Sequence, residues 1–276
     1  MSRATDLKDQ TAIVTGASSG IGRAIAEGLG SAGAEVFLAG RTQEPMEQLQ
    51  KKIEEAGGRA HVVLSDIREV SAVRKLVDAA MQKTGRLDIM VNNAGIEHPA
   101  SIIDGEPEEW REMLETNVLA LIVGCQSAAR AMRSCGAEGK IINISSVASQ
   151  RRDSGVYGAT KHAVNAISGT LRAELEADTI RVTTILPGAT VTNFARNFSP
   201  EFTGAILKMA GSDLEPVRGQ RVPDEVLDQV SGRLQERFAD PVHVANAVLY
   251  VVRQPIEINI EDMVVRPPHA LNLKPQ

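Results

Sequence analysis

Short unbroken apolar runs alternate along the chain with longer stretches whose apolar positions recur every three or four residues. Thr11-Ala-Ile-Val-Thr15, Glu35-Val-Phe-Leu-Ala39 and Ala60-His-Val-Val-Leu64 read as strands buried on both faces, as do residues 87–92, 140–145 and 181–186. Residues 21–32, 44–56 and 70–84 carry helical spacing, with Met46, Leu49 and Ile53 on one face and Gly57-Gly58 closing the second helix. Pro107 opens a long helix to about residue 133, because a first turn needs no N–H from it, and 157–177 is a further helix. Strands joined by helices of this length imply right-handed crossovers and an α/β, doubly wound sheet of about seven mostly parallel strands with helices on both faces. The rhythm lapses over 191–239, where Gly204, Gly211, Pro216, Gly219, Pro223 and Gly232 are scattered. It resumes at Asp240-Pro241, an N-cap followed by a first-turn proline, with a last strand near 259–265. A long irregular insertion late in such a chain reads as a substrate lid on a single domain spanning 1–276.

Composition narrows the picture. A chain of 276 residues can bury most of its unfolded surface without disulfide or metal staples. The formal charge of −5 comes without a clustered basic face, which argues against a nucleic-acid partner. No apolar run is long enough to span a bilayer, and the start, Met1-Ser-Arg-Ala-Thr-Asp-Leu-Lys8, lacks the apolar core of a signal peptide. Cys125 and Cys135 form neither a disulfide framework nor a Cys-x-x-Cys motif, so two free thiols in a reducing cytoplasm are expected. None of the five histidines pairs at metal-ligand spacing, and no metal is expected.

The chemistry gathers at strand ends. Thr15-Gly-Ala-Ser-Ser-Gly-Ile-Gly22 lies between the first strand and first helix, where Gly16, Gly20 and Gly22 let backbone approach a diphosphate at the helix N-terminus. Asn92-Asn-Ala-Gly95 ends the fourth strand and Ser145-Ser146 the fifth, on the carboxyl edge where doubly wound sheets bind ligands. Tyr157-Gly-Ala-Thr-Lys161 then sets a phenol and an ammonium one helical turn apart, in a chain with only two tyrosines.

In these motifs, in their order and spacing, the sequence resembles the short-chain dehydrogenase/reductase family over nearly its whole length, on a Rossmann-type sheet. The resemblance implies roles residue by residue. Tyr157 would be the acid/base, Lys161 would hold the nicotinamide ribose and lower the phenol's pKa, and Ser146 would bond the substrate oxygen. Asn117, in Glu115-Thr-Asn-Val118, matches the asparagine that kinks its helix and holds a relay water. The segment between Ser146 and Tyr157 is shorter than the family usually carries, which leaves Ser145 as the alternative serine. Around the cofactor the resemblance implies Gly16, Ser18, Ser19, Gly20, Ile21, Gly22, Asn93, Ala94 and Gly95. Asp66 and Ile67 would lie at the adenine, and Pro187, Gly188, Thr190 and Thr192 at the carboxamide.

The second strand ends Leu38-Ala-Gly-Arg41, without the acid that accepts from an NAD ribose and with a cation beside the gap. A guanidinium there can pair with a 2′-phosphate, so NADP (NADPH) is the expected cofactor. Asn193-Phe-Ala-Arg-Asn-Phe198 and the ending at 257–267 resemble NADP-linked 3-hydroxy acid and serine-type dehydrogenases. His98, Arg196 and Ser146 are the candidate substrate contacts, with Glu97, Gln150, Arg151 and Arg152 nearby in sequence. The expected reaction interconverts a carbonyl and an alcohol of a small molecule. The family's helices imply a homodimer or homotetramer. The alternatives are a non-catalytic NADP-binding regulatory or scaffold protein, against which the intact Ser, Tyr, Lys and Asn argue, and a nucleotide-sugar epimerase, against which the glycine spacing argues.

Overall fold

The computed structural model describes residues 7–269, so Met1–Asp6 of the N-terminal stretch read above lie outside it. In chain order the first half carries β1 (Thr11–Thr15), α1 (Gly20–Ser31), β2 (Glu35–Gly40), α2 (Gln43–Glu55), β3 (Arg59–Leu64), α3 (Val70–Thr84) and β4 (Ile89–Asn92). Then follow α4 (Pro107–Leu114), α5 (Ala120–Cys135), β5 (Gly139–Ile144), α6 (Gly155–Glu174) and β6 (Ile180–Pro187). The last part holds α7 (Pro200–Met209), α8 (Asp224–Arg233), α9 (Pro241–Val252) and β7 (Asp262–Val265). The strands form one sheet in the order β3-β2-β1-β4-β5-β6-β7, every pairing parallel. The chain runs outward from β1 to β3 and then returns to place β4 on β1's other side. Connections therefore leave the carboxyl ends of β1 and β4 in opposite directions, and a crevice opens between them.

Successive strand residues point to opposite faces, which sorts the apolar runs into two cores. Val14, Val36, Leu38, Val91 and Ile142 meet α1, α2 and α9 on one side. Ile13, Phe37, Met90, Ile141 and Val182 meet α3, α5 and α6 on the other. Two segments differ from the sequence reading. The helix read as continuous from Pro107 is interrupted by a π turn at Glu115–Leu119, which contains Asn117 and shifts carbonyls out of the α-helical register. The stretch read as irregular over 191–239 holds a 3₁₀ turn (Asn193–Asn197), α7 and α8. Ser199 Oγ caps α7 by accepting from Phe202 N at 3.2 Å, and Ile206 and Leu207 pack with Val191 and Val230 in a small core of their own. Among the described residues no helix is long and apolar enough to cross a membrane, and no group of three or more His, Cys, Asp or Glu could hold a metal ion. Cys125 is buried and Cys135 half-buried, both free.

Candidate active site

The crevice is built by fastening β1 to β4. Thr15 Oγ1 accepts from the backbone N–H groups of Asn93 (3.0 Å) and Ala94 (3.1 Å), while Asn93 Nδ2 donates to Thr15 O at 2.8 Å. The chain then leaves β1 through Gly16 at φ +67°, where a Cβ would lie 2.9 Å from Ala94 Cα. A Cβ on Gly22 would collide with the Gly16 carbonyl and the Asn93 side-chain amide, so the loop, α1 and the end of β4 close on one another with no room for a side chain at this position. The first hydrogen bond of α1 runs from Arg23 N to Ser19 O, and the Ser19 side chain makes no cap bond. The amides of Gly20, Ile21 and Gly22 are thus left at the positive end of the helix, an arrangement that fits a dinucleotide diphosphate. The Thr192 methyl packs where a Cβ on Gly20 would sit.

At the outer end of the crevice, Gly40 approaches Ser18 of the glycine loop, and exposed Arg41 follows it. Asp66 is bound by Arg68 (Nε–Oδ1 3.0 Å), which with Arg41 nearby holds its carboxyl below the ordinary range. Ile67 lines a small cavity with Thr15, Asn92, Ala94 and Thr116. Arg196, half-buried in the 3₁₀ turn, donates to Asn193 O at 3.1 Å. Burial lowers its pKa, and the charges of Arg41 and Arg221 lower it further. The structure therefore brings Arg196 toward Arg41 and Arg221. His98 is engaged by Glu112 (Nε2, 3.0 Å) and Glu109 (Nδ1, 3.5 Å), and exposed Arg151 by Asp153 (2.8 Å).

At the inner end Tyr157 enters from the first turn of α6. Ser146 acts on its hydroxyl in the sense that favours phenolate, while Ser146 Oγ accepts from Ala148 N at 3.1 Å. Ser145 is turned away: its hydroxyl donates to Asn165 Oδ1 at 2.7 Å and is committed to docking α6. Lys161 Nζ stands 5.7 Å from the Tyr157 ring centroid and donates to Ile144 O at 3.0 Å. Burial pushes this ammonium down to about 8, against the opposing pull of Glu97. The electrostatics correct one expectation. The phenol's pKa is raised, not lowered, because burial and the Glu97 carboxylate both disfavour phenolate and only Ser146 opposes them. Asn117 is 1% exposed and fully used: its Oδ1 accepts from Ile96 N (2.9 Å) and its Nδ2 donates to Ile96 O (2.8 Å) and Thr160 Oγ1 (3.1 Å). Pro187 ends β6, Gly188 N donates to Val265 O at 2.8 Å, and Thr190 Oγ1 donates to Gly188 O at 3.0 Å. Thr192 caps the 3₁₀ turn by accepting from Phe194 N at 3.2 Å.

Several contacts at the site involve residues to which the sequence reading gives no role. Phe194 lies against Tyr157 with ring centroids 5.6 Å apart, and Asn197 Nδ2 donates to Glu97 O at 3.2 Å. Asn92 donates to Asn143 Oδ1 (2.9 Å) and Asn143 to Ser168 Oγ (2.9 Å), a buried seam that docks α6 onto β4 and β5. A helix-face serine opposite strand-end asparagines is the only hint of that seam in the sequence.

The model of the family described as short chain dehydrogenase matches residues 10–202, well over half of the chain. The chain belongs to that family. This short-chain dehydrogenase is 32% identical over 265 residues to an uncharacterised oxidoreductase of Staphylococcus aureus, covering 95% of this chain and 99% of that protein. It also resembles a metagenomic short-chain oxidoreductase solved with NADP, at 28% identity and a TM-score of 0.73, over 95% of this chain and 99% of the other. A 7α-hydroxysteroid dehydrogenase solved with NADH and 7-oxo glycochenodeoxycholic acid is 26% identical, with a TM-score of 0.78, over 97% of each chain. Oxidoreductase chemistry with a nicotinamide cofactor on a seven-stranded Rossmann-type sheet follows for this chain.

Proposed function

We propose that this dehydrogenase is NADP(H)-dependent and interconverts a carbonyl and an alcohol of a small molecule, with Tyr157 as the acid/base. The observation that carries the reading is Lys161 Nζ set 5.7 Å from the Tyr157 ring, with Ser146 acting on the phenol, beside the glycine-loop cradle. The nicotinamide would supply a hydride that forms the new C–H bond, while the carbonyl π electrons move onto oxygen. Tyr157 delivers its proton to that oxygen, and Ser146 holds the oxygen in line through a hydrogen bond. A phenol kept protonated by burial and by Glu97 is in the state reduction requires at neutral pH. Lys161, still largely protonated there, supplies positive charge beside the developing phenolate and a donor for the ribose.

The preference for NADP over NAD is supported by Gly40 and Arg41, and by Arg196, whose charge both Arg41 and Arg221 oppose. Residues 191–239 act as a lid on a single domain, a role supported by the contacts of Phe194 and Asn197 with Tyr157 and Glu97. Two free thiols suit a reducing, cytoplasmic setting. Replacing Tyr157 by Phe leaves the ring packing but removes the proton. Turnover of NADPH with a carbonyl panel should fall by about 10² to 10⁴-fold while cofactor binding persists. Retention of more than about a tenth of wild-type activity would exclude this role.

A further inference from the structure

Glu97 is a charged side chain at the reacting end whose one part in the mechanism above is to help keep Tyr157 protonated, with no contact to the substrate assigned to it. It follows Ile96, whose N–H and C=O are both held by Asn117, and its own carbonyl accepts from Asn197 of the lid segment. The loop is therefore fixed on both sides. It runs close to the catalytic ammonium, since a Cβ on Gly95 would lie 3.5 Å from Lys161 Nζ. The Glu97 carboxylate acts electrostatically on both Tyr157 and Lys161. Among the described residues no group donates a hydrogen bond to it, and Lys161 is the one cation acting on it.

Two of the cations that could receive a substrate carboxylate already hold acidic partners, and a third stands among other arginines at the outer end of the crevice. His98 lies between Glu109 and Glu112, Arg151 pairs with Asp153 at the surface, and Arg196 gathers with Arg41 and Arg221. A second carboxylate brought beside Glu97 would meet like charge in a partly desolvated site. A hydroxyl group would instead find an acceptor with free lone pairs.

We propose that Glu97 is a specificity-determining residue that accepts a hydrogen bond from a hydroxyl next to the reacting carbon, so that the substrate is an α-hydroxy carbonyl or vicinal diol rather than a hydroxy acid. This rests on the carbonyl–alcohol reading of the same site. Burial raises the Glu97 carboxyl to about 7, against the pull of Lys161, as expected for an acceptor short of donors. A hydrogen bond from the substrate stabilises its ionised form, and so binding of the diol and ionisation of Glu97 reinforce each other. Substrates that carry a carboxylate near the reacting carbon are disfavoured by the same charge, which departs from the hydroxy acid dehydrogenases that the ends of the lid and chain resemble.

The test uses 1-hydroxy-2-butanone, 2-butanone and acetoacetate with NADPH, on wild type, Glu97→Gln and Glu97→Ala. In wild type the hydroxy ketone should exceed 2-butanone in kcat/KM by about tenfold or more, with acetoacetate poorest. The first ratio should fall toward unity in Glu97→Ala and partly in Glu97→Gln, and acetoacetate should gain on 2-butanone in both. Equal use of the two ketones by wild type, or a ratio unchanged by either substitution, would overturn the proposal. Binding separates its fate from that of the reaction. With NADP⁺ bound, 1,2-butanediol should raise the melting temperature of wild type more than 2-butanol does, and Glu97→Ala should abolish the difference. If none of the carbonyls turns over but this difference holds, the reaction reading fails and the Glu97 contact stands; if the alcohols act alike, the Glu97 contact fails.

Discussion

Arg41 stands exposed at the end of β2, beside a glycine where NAD-preferring relatives carry an acid. A guanidinium hydrogen bond to a phosphate contributes roughly 1.5–3 kcal/mol, or about ten- to a hundredfold in affinity. Arg41→Ala should lower kcat/KM for NADPH by that factor and leave NADH nearly unchanged, as steady-state rates with both cofactors will show. Equal losses with both would place the arginine outside the 2′-phosphate contact. Introducing an acid at Gly40 is a less clean probe, because its Cβ would lie 2.9 Å from Met46 Sδ and that side chain must move first. At this scale the sequence is legible where spacing alone brings groups together. Tyr157 and Lys161 share a helix face, and Ser146 ends the strand that faces them. Electrostatics are not legible in that way. The raised phenol and lowered ammonium depend on burial and on Glu97, which reaches them from the end of another strand.

Elements β1 through β6 are readable because an unbroken apolar run between turn residues has one place to go in a sheet covered on both faces. The insertion is not readable for a related reason. Its scattered prolines and glycines read as breakers, whereas Gly211 stands at φ +74° just past α7 and Pro223 directly before α8, helix-end positions like that of Pro200 in the first turn of α7. The π turn is likewise hard to read from periodicity, since it slips the apolar stripe by a single position, little more than the alternation of three- and four-residue spacings that an ordinary helix already shows. The glycine loop gives the prediction at this scale. Gly22→Ala puts a methyl against backbone that other contacts fix, so it should destabilise by about 1–3 kcal/mol and weaken cofactor binding together. Thermal melts with and without NADP⁺ read both effects. An unchanged melting temperature would mean that the loop yields and the close approach is not required.

At the scale of the whole molecule, Leu114, Leu119 and Ile122 form an exposed apolar stripe along α4, the π turn and α5, 40–51% accessible. A stripe of this kind on a helix that borders α6 suits burial against the same pair in a second copy. We expect a homodimer or homotetramer, and sedimentation showing only single chains at micromolar concentration would defeat that.

The fastening of β1 to β4 bears on how the molecule comes into being. Thr11 N donates to Asp88 Oδ2 at 2.8 Å at the foot of the two strands, and the Thr15–Asn93 bonds close the top. The loop is held early on one side, where Ala17 N donates to Ala39 O at 3.1 Å, but the groups that fasten Thr15 lie more than seventy residues further along the chain. A nascent chain that stops short of Asn93 carries the phosphate loop without the clamp that closes it on β4. Parallel pairing across such a separation must also wait for the intervening loop to close. The nucleotide can therefore reward only chains that have completed β4, and it acts as a ligand of the assembled sheet rather than as a template for its first half.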